Sequence, residues 1–357
     1  MLKTHRPHVS SDRFAFTLVE LCVLIAIVAI LLSMLLPVVR RGVPEGARRT
    51  ACLNNLRQLG LASLNYETSH MRFPSAMGGE SLDQSGRVSG FVSLLPFMEQ
   101  EQLYKEISQP SNFDGVSFPA MPAPWAKGYG PWKTQLPYLE CPSQWVDNYR
   151  ADFGVTHYGF SVGDQARGLD DATVSRGFSG QSRKTTRDAI SDGTSNTIMF
   201  CEIGRTVRGN KFPQYAIGVA PNVLENPADV VDLVDSSGEF VESTQVSSLR
   251  RGSRWCDGAA GPSLFNTILP PGSASASIGG ETGADGIYSA GGPHPDTVSA
   301  AFADGSTRSI EKDIDTGDLS APTPTIEQMN KNIPSPYGVW GALGTIAGEE
   351  SVSQSEF

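Results

Sequence analysis

The chain has 357 residues, 39% of them hydrophobic and 18% charged, enough for one sizeable domain or a domain with large insertions. Its 38 Asp and Glu outnumber its 28 Lys and Arg, and the formal net charge of −10 argues against nucleic acid as a partner, since a phosphate-binding surface needs clustered cations. The 37 Gly and 24 Pro are spread over many short segments between alternating apolar residues, a pattern of strands and loops rather than of a helical bundle.

From Phe16 to Val39 the sequence reads FTLVELCVLIAIVAILLSMLLPVV. A helix rising about 1.5 Å per residue over this run is long enough to cross a hydrocarbon layer of about 30 Å. A carboxylate inside such a helix costs about 2.5–3.5 kcal/mol on insertion scales, so Glu20 asks for a cationic partner. Lys3, Arg6 and Arg13 precede the run, and Ala15 sits just before Phe16. The stretch RFAFTLVEL, with the apolar residues behind it, resembles the processing signal of type IV pilins and type II secretion pseudopilins. That resemblance implies a prepilin peptidase cut between Ala15 and Phe16, an N-methylated Phe16 as mature terminus, and Glu20 as fifth mature residue, meeting the amine of a neighbouring subunit. It also implies a single-pass protein of the inner membrane, N-terminus inside and C-terminal domain outside. The flanking cations alone count the other way, with Arg40, Arg41, Arg48 and Arg49 behind the run. A plain apolar anchor carrying a stray Glu is the alternative.

Pro37, Gly42, Pro44 and Gly46 interrupt the chain, and helical periodicity resumes from Ala47 to Tyr66. Leu53, Leu56, Gly60 and Leu64 fall on one stripe, flanked by Cys52 and Leu59, which predicts an amphipathic helix over 40–70 packed on a sheet. Further on, Asp192-Gly193 marks a turn feeding TSNTIMF, and Asp304-Gly305 separates TVSAAFA from STRSI as a two-residue hairpin signal. Val298, Ala300 and Phe302 alternate with Thr297, Ser299 and Ala301, and Ile310 continues the apolar face. The segment 121–132 reads as a self-packed Pro/aromatic loop, 226–249 as an insertion with its own hairpin, and 270–292 as a long irregular loop.

Six motifs in one order carry a second, narrower resemblance: RRTACLNNLRQLGLASLNYETSHMRFP, FVSLLPFMEQEQLYKEI, LECPSQ, ISDGTSNTIMFCE, LFNTILPP and GGPHPDTVSAAFADGSTRSI. Together they resemble the pilin-like family known as DUF1559 or H-x9-DG proteins, the name-giving spacing being met by His294 and the pair Asp304-Gly305. The family also has Cys where Cys52 and Cys141 stand, and other residues where Cys201 and Cys256 stand. The resemblance therefore implies the pairs Cys52–Cys141 and Cys201–Cys256, with Cys22 unpartnered; four buried free thiols are the alternative. His294 reads as a residue fixing its loop by hydrogen bonds rather than as a ligand or base.

Gly159-Phe160-Ser161-Val162-Gly163 satisfies G-x-S-x-G, but a nucleophile elbow needs a packed helix after it, and DQARGLDDAT has no apolar stripe. Asp313, Asp315 and Asp318 cluster without the Gly and Glu of a calcium loop. With no C-x-x-C pair, no H-E-x-x-H and no phosphate-binding glycine loop, neither metal nor cofactor is expected.

The reading is an α+β protein: a leader over 1–15, a transmembrane helix over 16–39 and a spine helix over 40–70, packed on the mainly antiparallel sheet of an exported domain over 71–357. Its expected role is structural rather than enzymatic, with the membrane, prepilin peptidase and other pilin-like subunits as partners. A membrane-anchored binder of polysaccharide or protein is the second reading, and a serine hydrolase acting through Ser161 the third.

Overall fold

The structure, a computed structural model, describes residues 17–40, 45–80, 82–144, 152–171, 175–204, 214–350 and 352–353, with the side chains of the first helix described as far as Leu31. Ala15 and Phe16, and with them the leader and its cut, lie outside the described residues. The chain divides into two units, Met1–Ala47 and Arg48–Phe357.

The first unit holds helix α1 (Leu18–Arg40). Its start is fixed locally: the Glu20 amide donates to Thr17 Oγ1 at 3.2 Å, while the Thr17 amide and hydroxyl donate to Glu20 Oε2 at 2.8 and 2.9 Å. This is the reciprocal arrangement of a capping box, so the carboxylate that asked for a cation finds two donors of its own chain instead. Every side chain from Leu18 to Leu31 is exposed, Leu18 at 79% and Leu31 at 57%. The long transmembrane helix packed on the sheet is overturned. Among the described residues no helix is long and apolar enough to cross a membrane, and α1 belongs to a different unit from the sheet.

The body is mixed α+β, and α2 (Glu45–His70) is its spine. Its buried residues are Cys52, Leu56, Leu59, Gly60, Ala62, Ser63 and Tyr66, a stripe at about 3.6-residue spacing. The expected stripe is thus rotated, because Leu53 and Leu64 flank the buried line while Cys52 and Leu59 lie on it. Short helices α3 (Gly90–Leu94) and α4 (Glu101–Ile107) follow, then the hairpin of β1 (Ser111–Phe113) and β2 (Val116–Phe118). The Pro/aromatic segment closes on itself: Met121, Tyr129 and Trp132 are buried, and the Trp132 indole donates to Ala123 O at 3.2 Å.

The central sheet has five strands: β3 (Tyr158–Ser161), β4 (Ile198–Glu202), β5 (Leu264–Phe265), β8 (Thr297–Phe302) and β9 (Thr307–Glu311), in the order β5-β3-β4-β8-β9. All neighbours are antiparallel except β3 and β5. A register irregularity of β4 against β8 between Ile198 and Phe200 accompanies the placing of Met199 and Phe200 in one core cluster and of Ile198 and Cys201 in another. The strand β8 is buried along its whole length, Ala301 toward the α2 side and Val298, Ala300 and Phe302 toward Trp340 and Leu343 of α7 (Gly338–Gly344). That double coverage explains why Thr297 and Ser299 are inside although the alternation read as one-faced.

Between these elements lie α5 (Ala260–Ser263), the two-stranded sheet of β6 (Ala276–Ser277) and β7 (Gly286–Ile287), and α6 (Ile326–Met329). The segment 270–292 is therefore not wholly irregular. In 226–249 the expected hairpin is reduced to a turn of 3-10 helix, Pro227–Leu233, and a single bridge between Val234 and Phe240.

Candidate functional site

The hairpin of β8 and β9 positions both ends of the H-x9-DG spacing. At one end Asp304 and Gly305 sit in the four-residue connection 303–306, longer than the two-residue turn expected, closed by Gly305 N–H to Phe302 O at 2.8 Å. Gly305 has φ +83°, and a Cβ there would come within 2.8 Å of Leu64 Cδ1 of α2. Asp304 Oδ1 accepts from the Ser306 amide at 2.8 Å. This pair therefore shapes a turn that lies against the spine helix.

His294 stands at the other end, in the loop entering β8, and is 2% exposed. Its Nε2 lies 3.3 Å from Glu202 Oε1 at the end of β4 and 3.9 Å from Cys141 Sγ. Cys141, just past the 3-10 turn Pro137–Leu139, is disulfide-bonded to Cys52 of α2 with a Cα separation of 5.0 Å. Antiparallel pairing brings these residues together: Tyr158 at the start of β3 is opposite Glu202, and Ser299 of β8 donates its amide to Glu202 Oε2 at 2.8 Å. His157, just before β3, accepts the Cys141 amide at Nδ1 at 2.8 Å. The ligand atoms of Cys52, Cys141, Glu202 and His294 all lie within 4.8 Å of one another, the one such convergence of His, Cys and carboxylates among the described residues. His294 therefore faces chemistry-bearing groups as well as fixing its loop through its carbonyl, which accepts from Lys312 Nζ at 2.5 Å. Glu202 was not singled out in the sequence, since a Glu closing the run IMFCE carries no motif.

Cys201 and Cys256 are corrected: both are buried free thiols. Each Sγ is engaged elsewhere, Cys201 with Ser299 O at 3.2 Å and Cys256 with Pro124 O at 3.6 Å, and the two residues belong to different core clusters. Burial, and next the negative charge of the adjoining Glu202 or Asp257, pushes both thiols up, so neither is a ready nucleophile. Cys22 is an exposed free thiol on α1.

Ser161 closes β3 fully buried, its Oγ accepting from the Gly163 amide at 3.3 Å. The chain after Gly163 forms turns, and among the described residues the next α-helix is α5, so the strand–turn–helix of a nucleophile elbow is not formed. The acidic residues near 315 serve turns: Asp315 Oδ1 accepts from the Gly317 amide at 2.9 Å, and Asp318 Oδ1 from the Ser320 amide and hydroxyl at 2.9 and 2.6 Å.

A cavity of about 220 Å³ opens beside Phe240, Val246, Ser275 and Arg251. Arg251 is 2% exposed, and its guanidinium donates to the carbonyls of Ala260, Gly261, Leu264 and Ser289. Burial pushes it down to about 10. Nothing in the sequence marked this Arg, because four carbonyl acceptors from distant segments have no spacing to read.

A family model described as "Protein of unknown function (DUF1559)" matches residues 43–317. No curated protein and no solved structure matches the chain.

Proposed function

The chain belongs to the DUF1559 family, and on that premise we propose that it is a structural subunit of a pilin-like envelope assembly, joined to other pilin-like subunits through α1. The observation that carries the reading is the unbroken exposure of α1 from Leu18 to Leu31, where Leu18, Leu24, Ile25, Ile30 and Leu31 are each more than half exposed. An apolar surface on every side of a helix persists when another apolar surface covers it. The occupant proposed is the corresponding helix of a second subunit. Prepilin peptidase would expose Phe16 by removing residues 1–15, and the body would stand on the extracytoplasmic side, a compartment in which the Cys52–Cys141 bond persists.

Cys22 is placed to test this, being exposed on α1. A bis-maleimide applied to intact cells is expected to give a crosslinked ladder that Cys22→Ser abolishes and Glu20→Val weakens. If Cys22 reacts fully with a small maleimide yet never crosslinks to a second subunit, the reading is wrong.

The cavity beside Arg251 favours a second reading, a body that binds an anionic polysaccharide through a buried cation whose hydrogen-bond acceptors are carbonyls rather than carboxylates. Titration of the full chain with uronate oligosaccharides checks it: saturable heat is expected, and none at millimolar ligand would discard it.

A further inference from the structure

Four metal-ligating side chains from separate parts of the chain end at one buried point. Cys52 comes from α2, Cys141 from the turn behind Pro137–Leu139, Glu202 from the end of β4 and His294 from the loop into β8, and none is more than 2% exposed. With the disulfide formed, this point holds an imidazole and a carboxylate but no thiolate. Glu202 Oε1 then has no hydrogen-bond donor and faces His294 Nε2 at 3.3 Å. A buried carboxylate oxygen without a donor is unfavourable, and a cation at that point would satisfy it.

We propose that reduction of the Cys52–Cys141 bond converts the cluster into a closed tetrahedral site for zinc or a chemically similar divalent ion. Ligand bonds of about 2.3 Å to sulfur and about 2.0–2.2 Å to nitrogen and oxygen set donor atoms about 3.3–3.8 Å apart around such an ion. His294 Nε2 already lies 3.3 Å from Glu202 Oε1 and 3.9 Å from Cys141 Sγ, and no pair of the four donors is more than 4.8 Å apart. Once the sulfurs are no longer bonded to each other, the remaining approach is side-chain rotation. Two thiolates and an imidazole select zinc or cobalt over calcium or magnesium, which prefer oxygen ligands.

The conversion balances with a dithiol as reductant. Its two S–H groups become a disulfide, and the two electrons and two protons leave Cys52 and Cys141 as thiols. Binding of the dication releases those protons as both sulfurs coordinate as thiolates, while Glu202 contributes its own charge and His294 a neutral nitrogen. One negative charge remains on the centre, offset by the Lys312 ammonium, which donates to His294 O at 2.5 Å. Cys201 stays outside the set, because its Sγ is held by Ser299 O at 3.2 Å. Disulfide and metal are then alternative staples joining α2 to the segment that ends at Cys141.

Cobalt titration of the full-length chain, reduced by a dithiol and kept anaerobic, tests the proposal. One Co²⁺ per chain is expected, with thiolate-to-cobalt charge-transfer absorption and the intense visible bands of a tetrahedral centre, all lost on adding Zn²⁺ and absent from the oxidised chain. Cys141→Ser, His294→Ala and the shape-preserving Glu202→Gln should each weaken binding by more than about tenfold. Cys201→Ser and Cys256→Ser should leave it unchanged. The proposal is overturned if the reduced chain keeps its circular dichroism and shows no charge-transfer band, or if Cys52→Ser gives the same band. It is equally overturned if the reduced chain unfolds and cobalt does not restore it.

Discussion

In the N-terminal unit apolar side chains face outward, and in the body charged ones face inward. Leu18 and Ile25 on α1 are 79% and 59% exposed, while Asp164, Arg176 and Asp257 are 0%, 5% and 0% exposed. The difference lies in where each group finds its partner. Asp164 accepts from Arg176 through both carboxylate oxygens, at 2.5 and 3.1 Å, and Asp257 accepts from Arg87 at 2.6 and 2.9 Å, so a charge goes inside where the same chain supplies its counterion. The side chains from Leu18 to Leu31 are exposed, and the apolar surface they present is completed by a second molecule under the assembly proposal.

The largest effect should come from breaking an inward partnership. Asp164→Ala leaves the Arg176 guanidinium buried without its counterion, and is expected to cost the body about 3–5 kcal/mol in urea unfolding. An unchanged midpoint would show that the carbonyls of Lys331 and Ile333, which Arg176 also meets, suffice alone. Next in size, reduction of Cys52–Cys141 in the presence of a chelator should lower stability by about 2–5 kcal/mol, because the bond closes a loop of 89 residues in sequence.

A smaller effect is pH-dependent. Glu350 is half-buried, and loss of water on burial pushes its carboxyl up to about 7, against the pull of hydrogen bonds from the Ser335 amide and the Thr345 hydroxyl. The folded chain thus holds this proton more tightly than the unfolded one, whose value is near 4.5. The associated stability is fully present below about 4.5 and is lost as pH rises through about 7. Glu350→Gln should remove that slope and exceed the natural chain by about 1 kcal/mol at pH 8, allowing for screening by solvent. Thermal unfolding across pH 4 to 8 checks it, and parallel curves for the two chains would refute it. The smallest effect on the body should come from α1: Leu24→Gln is expected to change its stability by less than about 0.5 kcal/mol while reducing Cys22 crosslinking, which separates the two units functionally.

Local signals were legible where the partner is near in sequence. The spine helix and the β8–β9 hairpin follow from periodicity and from Asp304-Gly305, within a one-position rotation of the helix stripe and two extra residues in the turn. Cys52 and Cys141 stood out only through the resemblance to DUF1559, not through their spacing. What the sequence hid is long-range. Glu202 meets His294 92 residues later, and Arg251 gathers carbonyls from 260 to 289, contacts that only the sheet order creates. The length of the apolar run pointed to a membrane span, and Glu20 to an unpaired charge, because a capping box with Thr17 and a spanning helix both put a Glu near the start of an apolar stretch.

The distance between His294 and Asp304 acts as a ruler. One strand, β8, takes up six of the nine intervening residues, about 20 Å at strand rise, with the buried cluster before it and the α2 contact of Gly305 after it. A single residue inserted between Val298 and Ala301 would turn every following side chain to the opposite face, exchanging Phe302 with Ala301 across two filled cores at once. The spacing should therefore tolerate substitution far better than any change of length.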